Sequence, residues 1–313
     1  MHCLLQAAEI WTPDSDATLL EFGAGWYDSA VEFGAISRAM CFGRAEGLPG
    51  RSWDEGRPVL LTDLQSGYFR RAAAARKAGL SCAVALPFHF ANRLKAVVVL
   101  FFGGHQREEG AVELWHHDPL AGKQMSLVDG HYGTTARALL ADAREQSLAR
   151  GSGLPGLAWQ RGASVFVDAV AESPDFVRGA AAAQAQLRHG LALPCSSPGD
   201  ERYVLALLGT AAAPIARRVE CWVPSPEGAT LQRAYGHCEV QGSLPVGERI
   251  TTAGVGEDTI ALAFASAVPQ IRQRAADEPG RIGEAAAAAG LGGLLVLPVV
   301  SGGIVTEAVA LYL

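Results

Sequence analysis

Long apolar runs are missing from this 313-residue sequence, and no stretch approaches the 18 or so residues that a bilayer span needs. The start, Met1-His2-Cys3-Leu4-Leu5, has no basic region leading into an apolar core, so no secretory leader is read and a cytoplasmic location is expected. No CxxC pair occurs. The six cysteines, Cys3, Cys41, Cys82, Cys195, Cys221 and Cys238, are scattered, which argues against a disulfide framework or a structural zinc site and for buried free thiols. Basic stripes are lacking too. With 26 Lys and Arg against 32 Asp and Glu, nothing could neutralise a phosphate backbone or dock on an anionic bilayer, and neither nucleic acid nor membrane is expected as a partner. Aromatic residues make up only 7%, whereas hydrophobic residues reach 49%, enough for packed cores.

What is abundant is internal repetition. Gly47-Leu48-Pro49-Gly50-Arg51-Ser52-Trp53 recurs 106 positions later as Gly153-Leu154-Pro155-Gly156-Leu157-Ala158-Trp159. Phe69-Arg70-Arg71 recurs as Phe176-Val177-Arg178, each ahead of an alanine run, at an offset of 107. A second marker, Glu-x-Trp, appears three times, ending at Trp11, Trp115 and Trp222. Three modules are therefore expected, at 1–104, 105–212 and 213–313, with short polar joints at 103–110 and 209–214. The third is the most diverged: Gly254-Val255-Gly256 replaces the Gly-Leu-Pro-Gly string ahead of a helix expected to be longer, and Ile282 stands where Arg71 and Arg178 do.

Each module reads as a strand ending at Glu-x-Trp, a polar turn, a second strand, a partly helical crossing and a glycine corner opening a short helix. A third strand, an alanine-rich helix and two apolar strands complete it. The first alanine-rich helix is expected to stop at Gly79, which can take the left-handed conformation of a helix terminus. The order β-β-α-β-α-β-β predicts an α+β fold with an antiparallel sheet and helices on one face.

Glu46 to Trp53, with Gly56-Arg57-Pro58-Val59 and Thr62-Asp63-Leu64 before the helix, resembles the GAF domain family, and the chain resembles a tandem of three such modules. The resemblance implies antiparallel sheets of five or six strands, each with a small-molecule pocket beneath its helices. Relatives bind cyclic nucleotides, tetrapyrroles, haem, amino acids, 2-oxoacids or only another protein, so the fold leaves the ligand, and any cofactor, open. The Asn-Lys…Phe…Asp-Glu signature of the cyclic-nucleotide branch is missing. No cysteine lies between Leu64 and Gly79 or between Val170 and Gln186, against a covalently held bilin. A thiol reductase of the free methionine sulfoxide reductase type needs a reactive cysteine at the glycine corner, where Pro49 and Pro155 stand. No catalytic residue is assigned.

No metal ligand is assigned either. His116 and His117 are read as polar turn residues, and His131 and His237, each after a glycine, as occupants of the aromatic slot that Trp26 fills in the first module. The glycine corners are read as structural rather than as anion sites. Candidate ligand-binding residues are Trp53, Asp63, Phe69 and Arg71 in the first module and Trp159, Phe176 and Arg178 in the second, the arginines suiting an acidic ligand. The expected function is a non-catalytic regulator that binds a small molecule and acts on a separate protein partner, with a protein-interaction scaffold with filled pockets as alternative and the thiol reductase as a more distant one. The sequence leaves homo-oligomerisation open and holds no long terminal helices or output domain of its own.

Overall fold

In the computed structural model, which describes residues 2–65, 67–103, 109–134, 136–197, 199–251 and 258–313, the chain forms three antiparallel sheets. The first contains β1 (Leu5–Pro13), β2 (Leu19–Tyr27), β3 (Cys41–Gly43), β4 (Val59–Leu61), β5 (Leu80–Phe90) and β6 (Arg93–Gly103), in the spatial order 3-2-1-6-5-4. The second repeats that order with β7 (Ala111–His117), β8 (Gln124–Tyr132), β9 (Ser147–Ala149), β10 (Val165–Asp168), β11 (Leu187–Cys195) and β12 (Arg202–Thr210). The third keeps the path with β13 (Arg218–Pro224), β14 (Thr230–Cys238), β15 (Gly242–Ser243), β17 (Gln270–Arg272), β18 (Leu294–Ser301) and β19 (Ile304–Tyr312), while β16 (Arg249–Thr251) also pairs with β14. The α+β class and the antiparallel sheets agree with the sequence. The short strands β3 and β9 add a step to the expected order, and the Glu-x-Trp marker lies inside the first strand of each sheet rather than at its end.

Helices α1 (Val31–Ser37), α2 (Gly47–Glu55) and α3 (Ala72–Lys77) accompany the first sheet, and α4 (Arg137–Glu145), α5 (Gly153–Arg161) and α6 (Gly179–Gln184) the second. The third has α7 (Thr259–Ser266) and α8 (Gly280–Ala288). With eight residues, α7 is shorter than the nine-residue α2 and α5, contrary to the expected lengthening. Its start is fixed by Asp258, whose side chain accepts from the amides of Ile260 and Ala261. Gly254 to Gly256 and the joint at 104–108 lie outside the described residues.

The Gly-Leu-Pro-Gly string has a steric cause. Gly47 and Gly153 take φ of +59° and +64° to enter the helix, a conformation that a side chain disfavours. At Gly50 a Cβ would fall 2.0 Å from the carbonyl oxygen of Gly43, and at Gly156 it would fall 2.4 Å from that of Ala149, so both helices press on the short strand before them. Gly79, at φ +72°, follows α3 as expected.

One face of each sheet packs under its own helices, as in the cluster of Trp11, Phe33, Phe42, Trp53, Phe69 and Phe101. The other faces meet each other. Val98 and Leu100 of β6, Leu205 and Leu207 of β12, and Val309 and Leu311 of β19 belong to one apolar core shared by all three sheets. Strands β5, β11 and β18 converge there, and Leu86-Pro87, Leu193-Pro194 and Leu297-Pro298 line one small cavity, so the modules surround a pseudo-threefold axis. The contacts close into a ring. Trp26 of the first module packs on Gly293 of the third, His131 of the second reaches Ser81 of the first, and His237 of the third lies against His189 of the second.

Candidate functional site

Beneath the helices of the first module, Glu9 is fully buried on β1. Its carboxylate accepts Arg71 Nη1 at 2.6 Å and Nη2 at 2.9 Å, Trp11 Nε1 at 3.0 Å and the Tyr27 hydroxyl at 3.0 Å. Arg71 also donates to Ser37 Oγ, and its guanidinium lies 4.5 Å from the centre of the Phe33 ring. The second module repeats this: Glu113 accepts both Arg178 Nη1 and Nη2 at 2.7 Å, Trp115 Nε1 at 2.9 Å and the Tyr132 hydroxyl at 2.8 Å. Burial opposes the charge of Arg178, but Glu113 more than restores it, and the net shift is upward. Burial, reinforced by the same carboxylates, pushes the Tyr27 and Tyr132 hydroxyls above their ordinary range, so both remain donors.

The third module builds the cluster from other strands. Glu220 accepts Trp222 Nε1 at 3.0 Å, as its counterparts do, but the hydroxyl comes from Tyr312 on β19, at 3.1 Å. The cation is Arg233 on β14, with Nη2 3.2 Å from Glu220 Oε1, and Arg218 Nη1 follows at 3.8 Å. A register shift before the marker tryptophan recurs in all three sheets; it sets Arg233 opposite Trp222, where Phe22 and Leu127 face Trp11 and Trp115. Burial lifts the Glu220 carboxyl above its usual 4.5, and Arg233 and Arg218 pull against that rise.

The proposed ligand residues thus have definite places. Trp53, Phe69 and Arg71 are packed together under the first module's helices, and Arg44 covers the Trp53 ring at 4.8 Å. Asp63 is exposed in a turn, its carboxylate accepting from the amide of Gln65. Phe176 and Arg178 are buried in the second module. Trp159 is half-buried and faces outward, its ring 4.2 Å from that of His117.

Trp159 lines a cleft of about 760 Å³ at one end of the central axis. The β5–β6 turn of the first module contributes Asn92, and the β18–β19 turn of the third contributes Gly303. From the second module come His117, Arg150, Arg161 and Arg202, against one acidic side chain, Asp200. Neither the cleft nor the shared core was foreseen in the sequence. The signal for the core was present in near-continuous apolar strands such as Ala96–Phe102, which read as buried on both faces.

Residues 5–117 match the family model described as a GAF domain. That match covers the first module and the start of the second. Among solved structures, similarity extends to the nlh2 GAF domain of A. aeolicus in an inactive state, at 14% identity and a TM-score of 0.26, over 33% of this chain and 60% of that one. An NreA protein of Staphylococcus aureus mutated in its nitrate-binding site matches at 11% and 0.26, over 32% of this chain and 74% of its own. A GAF domain/HD domain protein of Geobacter sulfurreducens matches at 14% and 0.27, over 32% and 63%. A search of curated proteins gives no match.

Cys3, Cys82, Cys221 and Cys238 are buried as expected and Cys195 is half-buried, whereas Cys41 is exposed on the short strand β3. Burial pushes Cys195, at the floor of the cleft, up to about 12 and Cys3 up to about 11. Cys221 is raised further by burial and by Glu307, which accepts from its thiol at 3.2 Å. That carboxylate also accepts from the amide of Ser164, whose hydroxyl meets the Tyr235 hydroxyl at 2.8 Å, so a buried polar network joins the second sheet's module to the third. No helix among the described residues is long and apolar enough to cross a membrane.

Proposed function

We propose that this protein is a non-catalytic regulator that binds a small acidic molecule in the cleft between its modules and passes the bound state to a separate protein partner. The observation that carries the reading is the position of Trp159: an accessible aromatic ring, beside His117, faces a cleft whose lining holds Arg150, Arg161 and Arg202. A cavity of several hundred Å³ with convergent polar groups is of the size that encloses a metabolite, and guanidinium groups suit carboxylate or phosphate. Inside the modules, Arg71 and Arg178 already hold Glu9 and Glu113, so an acidic ligand there would have to displace a buried carboxylate.

That filled interior supports a second reading, in which the modules are protein-interaction surfaces without a small ligand. Native mass spectrometry with a panel of di- and tricarboxylates, sugar phosphates and nucleotides tests the first. A mass adduct that also changes tryptophan emission, and that Trp159→Ala and Arg150→Ala weaken about tenfold, is the expected result. Absence of any adduct at millimolar concentration would overturn the cleft reading in favour of the scaffold.

A further inference from the structure

Where the second module meets the third, Asp168 and His189 form a cross-strand pair on β10 and β11 and face His237 and Glu239. His189 is 2% exposed and His237 5%. Neither ring nitrogen of His237 has a hydrogen-bond partner among the described residues, although Asp168 Oδ2 and Glu239 Oε1 each stand 3.8 Å away. His189 Nε2 approaches Asp168 Oδ1 to 2.9 Å without forming a hydrogen bond, while its Nδ1 lies 3.1 Å from Glu239 Oε1.

These positions divide the imidazole nitrogens into two sets. Glu239 faces one nitrogen of each ring, Nδ1 of His189 and Nε2 of His237. If those nitrogens carry the ring protons, the lone pairs on the opposite nitrogens both turn toward the Asp168 carboxylate. Three electron-pair donors then face one another with no proton between them, an arrangement that a cation resolves. A carboxylate behind the ligating histidines is also what holds imidazoles in the metal-binding tautomer. The donor atoms of Asp168, His189 and His237 lie within 4.8 Å of one another. Asp168, with its side chain about half exposed, leaves an approach from solvent, and Phe166 closes the opposite side with its ring 5.6 Å from each imidazole.

We propose that Asp168, His189 and His237 bind a divalent transition metal of the zinc type, with Glu239 as the outer carboxylate that orients both imidazoles. Two nitrogens and one oxygen suit a borderline cation, and three protein ligands leave a position for water. Two carboxylates balance its two charges. The site belongs to one junction of the ring: the matching positions hold His131 against Ser81 between the first and second modules, and Trp26 beside Gly293 between the third and first, where Gln273 Nε2 also donates to the Gly25 carbonyl. A metal here would tie the second module to the third. The proposal is independent of the ligand assigned to the cleft.

The test uses the full chain without a histidine tag, stripped with chelator and titrated with Zn²⁺ or Co²⁺. Expected are one metal per chain by elemental analysis after desalting, a rise in melting temperature with zinc, and the visible absorption of nitrogen- and oxygen-bound Co²⁺. His237→Gln removes a buried ring and could unfold the junction, so Asp168→Asn, at a half-exposed position, is the decisive variant. It should lower zinc affinity at least tenfold with an unchanged circular dichroism spectrum, and Glu239→Gln should lower it about ten- to a hundredfold. His116→Ala, on a separate His–Glu pair, should change nothing. Failure of the wild type to retain metal at micromolar zinc, or wild-type affinity in Asp168→Asn, would overturn the proposal.

Discussion

Arg178 follows Glu113 by 65 residues, yet its guanidinium spans both carboxylate oxygens, each bond 2.7 Å long. The pair is inaccessible to water, and its worth lies less in attraction than in what removal would leave behind. Arg178→Met should destabilise the protein by about 3–5 kcal/mol, because Glu113 becomes a buried charge without a counter-ion. Adding Glu113→Gln should restore a large part of that loss. Urea unfolding of the two single variants and the double variant measures the coupling, and additive losses would refute it.

The glycine corner makes a sharper steric prediction. Gly50→Ala drives a methyl group into the backbone of Gly43 and should cost about 2–3 kcal/mol, in the range of overpacked cores. Gly67→Ala, where nothing lies within 4 Å, should be close to neutral. Melting temperatures of the two variants, taken side by side, decide the point.

Glu307 gives a pH dependence of known sign. Burial raises its carboxyl above the usual 4.5. The stability linked to a raised carboxyl is fully present below that value and is lost as pH climbs through the folded-state value. Glu307→Gln removes this titration, so the stability of the variant relative to wild type should improve steadily from pH 4 toward neutrality. Urea midpoints across that interval report the trend; a constant difference would contradict it.

The shared core implies that the modules unfold together. Calorimetry should show one cooperative transition, with calorimetric and van't Hoff enthalpies in agreement, rather than three separate steps. A chain cut after residue 212 would expose the apolar faces of β6 and β12 and should associate in size-exclusion chromatography.

How much of this was legible depended on whether a feature was local. The tryptophan markers and the offset near 106 revealed the repeated sheets, because each motif solves a problem within a few residues: a helix entry at Gly47, a close approach at Gly50. The role of Glu9 was not legible, since the marker shows a carboxylate and hides its partners 18 and 62 residues away. In the third module the substitution was harder still to see. Ile282 announced a lost cation, while its replacement, Arg233, arrived from a neighbouring strand, and the hydroxyl moved from β2-like to β6-like positions as Tyr312. Burial of a carboxylate demands a donor set; it does not dictate which strand supplies it. His237 does take the strand position that matches Trp26 and His131, but its neighbour His189 was not legible because it belongs to a different module.

Three identical subunits around an axis would present every junction in triplicate and would fall apart on dilution. Here the three modules are tethered in one chain, so assembly of the ring is independent of protein concentration and its three seams are free to differ. Each seam has taken its own chemistry, a tryptophan on a glycine, a histidine near a serine, a histidine pair between two acids. The cleft beside Trp159 and the histidine cluster at Asp168 therefore each occur at one seam without copies at the other two among the described residues, an asymmetry that a symmetric trimer could not enforce.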